Sequence, residues 1–312
     1  MRAVGLMVHG GPEVLQVVDV PEVQAGVGQV RIRNYAAAVN PTDVVARNGM
    51  LAAMQKKNPP PYVPGMDAAG IVDQVGEGVT TGVKVGDRVM AMVVPRAAHG
   101  AYREQIVLDQ RAVVPAPAGS SHVEACTLPM NALTARMSLD LLDLKPGQVI
   151  AVTGGPGAYG GYVIQLAKAD GLMVIADGAD SDRALLQSLG ADTVVSRGDG
   201  FANKIREHFP QGVDGLADGA LLNALAIDAV KDGGSFTSIR GFKGEDQRDI
   251  KFSATWVTGY DGAYEKLDLL REQVEAGVLT LRVADSVTAE DAGIAHQRLE
   301  QGGTRGRMVI EF

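Results

Sequence analysis

The rhythm of apolar and polar positions changes twice along the chain. Up to about residue 120 the apolar runs are short and turn-bounded. Residues 14–20 and 29–35 have strand composition, and the second alternates apolar with polar. Residues 69–76 predict a strand running into a glycine turn, and residues 85–93 a turn followed by a strand. Asn40-Pro41-Thr42-Asp43 predicts a turn entering a short helix. Residues 58–65 hold four prolines, which fix φ and lack N–H groups, so a rigid loop is predicted there. From about residue 121 the period lengthens. Residues 123–142 predict helix, broken at Pro129. Strands are then predicted at 149–153, 172–176, 192–195, 213–217 and 235–239. Helices are predicted at 162–168, 182–189, 201–209 and 221–230, the last with a C-cap at Lys231-Asp232-Gly233-Gly234. Strand and helix in alternation predict a parallel, doubly wound sheet in an α/β chain. A third stretch adds helices at 264–276 and 291–299 and a closing strand at 307–312.

The most informative junction is the one after the strand at 149–153. It runs Gly154-Gly155-Pro156-Gly157-Ala158-Tyr159-Gly160 and opens directly into a helical period. Gly155-x-Gly157-x-x-Gly160, between a strand and a helix, is the arrangement that receives a pyrophosphate. Helix-start N–H groups and the positive end of the helix dipole face the anion, and glycine lets the phosphates approach the backbone.

Composition narrows the partners. A chain of 312 residues implies two domains. A net charge of -8 argues against nucleic acid or an anionic membrane as principal partner. Cys126 is the one cysteine, which excludes an intrachain disulfide and a thiolate metal cluster and points to a reducing, cytoplasmic setting. The first residues are too short an apolar stretch for a signal peptide, and no run of about 18 apolar residues exists for a membrane span. His9, His99, His122, His208 and His296 are scattered without ligand spacing, so no metal site is expected.

Several segments in order resemble one family. They are Asn40-Pro41-Thr42-Asp43, residues 63–70, residues 85–89, Gly100-Ala101-Tyr102-x-Glu104, Leu133-Thr134-Ala135, residues 144–148, the glycine turn, and Gly306-Arg307-Met308-Val309. Together they resemble the zinc-independent medium-chain dehydrogenase/reductases of the quinone oxidoreductase (zeta-crystallin-like) branch, over nearly the whole length. The resemblance implies a GroES-like β-barrel domain at 1–120, completed by 263–312, and a Rossmann domain at 121–262. It also implies NAD(P)H-dependent reduction in a cleft between the two. Zinc-dependent members carry a cysteine and a His-Glu pair at positions that here resemble Thr42 and Met66-Asp67.

Two readings of the cofactor disagree. The general rule seeks an acid about twenty residues past the glycines for the ribose 2′-hydroxyl, and Asp177 sits there, which points to NAD. The family register instead places Gly178 at the acid's position and puts Arg183 and Arg197 where relatives hold a 2′-phosphate. Arginine suits phosphate by bidentate hydrogen bonding, so NADPH is expected. The resemblance further implies cofactor contacts by Asn40, Thr134, the 154–160 turn and Arg307. Asn40 and Thr134 would lie near the nicotinamide, with Asp43 and Asp67 as weaker candidates. Related enoyl reductases often carry a tyrosine acid where this chain has Gly49-Met50-Leu51-Ala52. Leu51 cannot donate a proton, and Tyr62 is the nearest alternative. Met50, Leu51, Met54, Met66 and Met130 are candidates for an adaptable apolar pocket. The expected function is an NADPH-dependent, metal-free reductase of a quinone or α,β-unsaturated carbonyl. Its alternatives are a zinc-free alcohol or ketone dehydrogenase and a non-catalytic NADPH-binding protein. A homodimer paired through the sheet edge at 236–256 is expected by analogy.

Overall fold

The computed structural model describes residues 1–312 except Lys56, Lys57, Ala97 and Asp199, together with the side chains of Met54 and Gln55. The chain divides into two units. One comprises Met1–Met130, Tyr260–Ala276 and Leu281–Phe312; the other comprises Asn131–Gly259 and Gly277–Thr280.

The first unit is built on β3 (Gln29–Ala38), after a small antiparallel pair of β1 (Arg2–Gly5) and β2 (Gln16–Asp19). Along β3 Val30, Ile32, Asn34 and Ala36 are buried while Arg33 faces solvent, as a half-covered strand requires. A helix, α1 (Pro41–Arg47), follows at once, with proline at its first position, where a missing N–H costs nothing. Then come α2 (Ala52–Gln55), β4 (Asp67–Val75), β5 (Arg88–Met92), β6 (Gln105–Asp109), β7 (Val113–Pro115) and α3 (His122–Ala125).

The second unit is the alternating one. Its elements are α4 (Pro129–Leu142, from Asn131 on), β8 (Val149–Thr153), α5 (Ala158–Ala169), β9 (Met173–Gly178), α6 (Arg183–Ser188), β10 (Thr193–Ser196), α7 (Phe201–His208), β11 (Val213–Asp218), β12 (Val230–Ile239) and β13 (Lys251–Thr255). The six strands are all parallel in the order β10-β9-β8-β11-β12-β13. The order reverses between β8 and β11, so ligands are expected at the carboxyl ends of those two strands. The sheet's core includes Ala151, Ile175, Phe201, Ile205, Leu216 and Phe236.

The remaining segments return to the first unit: α8 (Tyr264–Glu275), β14 (Val283–Thr288), α9 (Ala292–Gln301) and β15 (Arg307–Glu311). The sheet runs β14-β15-β3-β4-β5-β7, with β6 also paired to β3. Val309, Ile310 and Glu311 of β15 face Ala38, Ala37 and Ala36 of β3 in antiparallel register.

One segment departs from the sequence reading. The helix expected at 221–230 is a 3-10 helix over Asn223–Ala229, and Lys231-Asp232-Gly233-Gly234 is not its cap. β12 has already begun at Val230, and those residues form a bulge. Val213 pairs with Val230, but Gly215 pairs with Ser235. The physical cause lies upstream, where the Asp218 carboxylate accepts the N–H groups of Leu222 at 3.0 Å and Asn223 at 2.7 Å. Asn223 takes a positive φ of 52°, which an α-helix does not tolerate. Among the described residues no helix is long and apolar enough to cross a membrane.

Candidate functional site

The glycine turn sits at the carboxyl end of β8. Gly154 has φ of +70°, a conformation that L side chains rarely adopt. Its carbonyl accepts the N–H of Gly157, which caps α5 in extended conformation. A Cβ at Gly160 would lie 2.3 Å from the Gly154 carbonyl oxygen, so α5 packs on the turn only because Gly160 has none. The first helical turn leaves N–H groups without intrahelical acceptors, and here they belong to Ala158, Tyr159 and Gly160. Pro156 is buried between the glycines. This cradle fits a dinucleotide diphosphate.

Tyr159 faces inward rather than toward a ligand. Its hydroxyl donates to Ser138 Oγ at 2.7 Å, and burial pushes its pKa upward. Ser138 in turn donates to the Thr134 carbonyl at 3.0 Å and shares a 2.9 Å hydrogen bond with Thr255. Thr134 is a buried residue of α4, so this network ties its backbone to the glycine-turn helix and to β13. At the switch point Thr153 Oγ1 donates to Asp218 Oδ1 at 2.5 Å and accepts the N–H of Ala220 at 3.0 Å.

The ends of β9 and β10 bring the cofactor-selecting candidates together. Gly178 closes β9, and its carbonyl accepts the Arg197 N–H at 3.2 Å. A side chain on Gly178 would strike Leu186 and approach Pro156. Arg183 opens α6 with its guanidinium half-exposed, 3.5 Å from the Val194 carbonyl and 3.7 Å from Asp180. The Arg197 side chain is exposed, and its charge acts on Asp177. Asp177 itself points into the turn. One oxygen, Oδ1, accepts both the Gly154 N–H at 2.7 Å and the Gly155 N–H at 3.2 Å.

In the first unit the expected residues meet in a buried polar cluster. Asn40 caps α1 and is fully buried. Its backbone N–H donates to Asp43 Oδ2 at 2.8 Å, and its side-chain Nδ2 donates to Asp67 Oδ2 at 2.8 Å. Asp43 also accepts the Gly65 N–H at 3.0 Å and the Tyr102 hydroxyl at 3.0 Å. Burial outweighs these bonds and pushes the Asp43 carboxyl up to about 6. Asp67 accepts the Met130 N–H at 2.7 Å and lies 3.6 Å from Arg307, yet burial still raises its pKa. Arg307 opens β15, is nearly sealed from solvent, and donates to the Val39 carbonyl at 2.6 Å. The Tyr102 hydroxyl also shares a 3.1 Å hydrogen bond with His296 Nε2 on α9. Burial, with Arg47 nearby, lowers the His296 pKa to about 3 and keeps it neutral. Sequence reasoning passed over Tyr102, His296 and Arg47. The Tyr102 signal was its place in the Gly100-Ala101-Tyr102 segment; His296 and Arg47 carried none.

The other candidates disperse. Tyr62 stacks on His9 at 5.3 Å, and its hydroxyl donates to the Asn58 carbonyl at 3.0 Å. Met66 and Met130 are buried, Met50 is exposed and Leu51 half-buried, while the Met54 side chain lies outside the described residues. His99 bonds the Val107 carbonyl and His122 stacks on Tyr35. Among the described residues no three His, Cys, Asp or Glu side chains gather as a metal ligand set.

Residues 26–118 match the alcohol dehydrogenase GroES-like domain, and residues 189–310 match the model described as zinc-binding dehydrogenase. The chain is 32% identical over 243 residues to the NADPH-dependent alkenal/one oxidoreductase, chloroplastic, of Arabidopsis thaliana, a match covering 75% of this chain and 61% of that protein. It is 28% identical over 329 residues to the quinone oxidoreductase of Rattus norvegicus, covering 99% and 97%. A solved NAD-dependent alcohol dehydrogenase superposes with TM-score 0.88 at 30% identity, covering 100% of both chains. The chain thus spans 61% of the length of the plant relative and nearly all of the mammalian one.

Proposed function

We propose, for a chain that belongs to the medium-chain dehydrogenase/reductase family and to its quinone oxidoreductase branch, a metal-free reduction of a quinone or α,β-unsaturated carbonyl by NADPH. The observation that carries the reading is the diphosphate cradle, in which the absent Cβ of Gly160 lets α5 close on the Gly154 carbonyl. The relatives' activities give the substrate class. When bound, a nicotinamide supplies hydride to an electron-poor carbon.

The chain's own residues then divide the work. The 154–160 turn holds the diphosphate. Arg183 and Arg197, flanking a Gly178 that bears no acid, bind the 2′-phosphate and favour NADPH. Asn40 is fully buried and held on both its backbone and its side chain by Asp43 and Asp67, so its role is to fix the turn into α1. Thr134 supports the cofactor from α4, and Arg307 acts through its buried pair with Asp67. Tyr62 is the proton-donor candidate; its hydroxyl must turn from the Asn58 carbonyl to serve, and otherwise water protonates the product. The positions of zinc ligands in relatives are matched by Thr42, Met66 and Asp67, a set poorly suited to zinc. In solution the protein forms a homodimer in the cytoplasm, covering β13 and the exposed Trp256 at the sheet edge.

A second reading, an alcohol or ketone dehydrogenase acting on C=O, is favoured by the likeness to the NAD-dependent alcohol dehydrogenase. One assay separates the two. Purified protein is mixed with NADPH and, in turn, quinones, enones, and saturated aldehydes and ketones, and loss of nicotinamide absorbance is followed. Turnover of quinones or enones is expected. Activity confined to saturated carbonyls would establish the second reading, and NADPH binding without any turnover would make this a binding protein.

A further inference from the structure

We propose that Asp177 is a positioning residue that shapes the glycine turn while its negative charge weakens the turn's hold on the dinucleotide diphosphate. The inference rests on the dinucleotide reading of that turn. Asp177 is the penultimate residue of β9, beside β8, and is 2% exposed. One oxygen gathers the N–H groups of Gly154 and Gly155, so the first two residues of the turn are held by a side chain from the neighbouring strand. Among the described residues no Lys or Arg forms an ion pair with it; the countercharge acting on it is Arg197, and Asp218, across β8 at the end of β11, acts in the opposite sense. A buried carboxylate so placed raises the electrostatic cost of bringing in a diphosphate. A side chain committed to two N–H groups is also a poor ribose ligand, which leaves the 2′-position to Arg183 and Arg197.

Charge and hydrogen bonding separate by substitution. Asp177→Asn retains an acceptor for both N–H groups and removes the charge. Asp177→Ala removes both. Arg197→Ala, at an exposed position, unmasks the charge without disturbing the turn.

Dissociation constants for NADPH and NADH are measured by nicotinamide fluorescence titration, with thermal melting as the check on folding. Asp177→Asn is expected to bind both cofactors about tenfold more tightly, because the diphosphate is common to them. Asp177→Ala is expected to bind both more weakly than Asp177→Asn. Arg197→Ala should weaken NADH, which has no 2′-phosphate, by about threefold, and this loss should vanish in the Asp177→Asn background. A folded Asp177→Asn variant that binds as the parent does, or more weakly, overturns the charge effect. An Asp177→Ala variant equal to Asp177→Asn overturns the positioning role. If Asp177→Asn fails to fold, an NADH affinity unmoved by Arg197→Ala overturns the charge effect by itself. A parent protein that binds neither cofactor overturns the proposed function instead.

Discussion

Asn40 and Asp67 share a 2.8 Å hydrogen bond, amide Nδ2 to carboxylate Oδ2, with both side chains fully buried. Asp67 also receives the Met130 N–H and the charge of Arg307, so one carboxylate ties β4 to the turn before α1, to the start of α4 and to β15. Asp67→Ala would leave Arg307 as a buried cation without its ion-pair partner. Breaking a buried pair on one side costs about 3–5 kcal/mol. Urea denaturation should show a loss of that size, with a smaller loss for Asp67→Asn, which keeps an acceptor.

Asp43 predicts a pH signature. Its folded pKa of about 6 stands above its ordinary 3.8, so the folded protein holds this proton more tightly than the unfolded chain. The resulting stability is fully present below about pH 4 and is lost as pH rises through 6. A rise of this size is worth about 3 kcal/mol. Carboxylates with depressed pKa, such as Asp192 and Asp214, slope the other way, so the parent's total profile mixes signs. The test is the difference in unfolding free energy between the parent and Asp43→Asn, which should change between pH 4 and 6 and be flat above 7.

Gly160→Ala places a methyl 2.3 Å from the Gly154 carbonyl oxygen, a backbone atom that cannot step aside as a flexible side chain can. Overpacking of this kind costs about 1–3 kcal/mol. Titration with NADPH should show at least about a tenfold loss of affinity, since the turn must open to admit the methyl.

Arg183 holds only distant partners and is half-exposed, so Arg183→Ala should leave stability within about 0.5 kcal/mol of the parent. If its guanidinium binds the 2′-phosphate, NADPH affinity falls about tenfold while NADH affinity stays unchanged. Equal dissociation constants for the two cofactors in the parent would remove the basis for NADPH selection.

Sheet-edge pairing through β13 predicts a dimer mass by light scattering, with dissociation on dilution. The charge-bearing Trp256→Asp should shift the population to monomer. A monomer mass at every concentration would exclude the interface.

How far the sequence carried depends on the range of the interactions. The glycine turn was legible because strand, turn and helix are adjacent, and the backbone demands at Gly154 and Gly160 are local. The alternation of β8 to β12 was legible for the same reason. The bulge at Lys231–Gly234 was misread as a cap, because glycine after an apolar run signals both. What decided it was Asp218, which bends the preceding segment from outside. The short strand β1 went unread because its 4 residues carry too little pattern, and β6, β7 and β14 because their partners lie more than about twenty positions away. The cluster of Asp43, Tyr102 and His296 is hidden for the same reason. Its members lie 59 and 194 positions apart, and nothing near His296 announces a buried hydrogen bond. Asp177 was found by spacing but not understood, because spacing does not say which way a side chain turns.

The position of β15 bears on how the chain comes to fold at all. It is not an edge strand: it lies between β14 and β3, and its residues Met308, Val309 and Ile310 are buried. During synthesis β3 is made early, yet its partner at 309–311 emerges some 270 residues later. The second unit, formed from contacts within Asn131–Gly259 and a four-residue return, can assemble on the ribosome while the first still waits with an open seam. Closing that seam requires a long-range search, which is slow. A nascent chain stalled before residue 307 would therefore carry a finished second unit and an unfinished β-rich first unit with β3 exposed to the wrong strand.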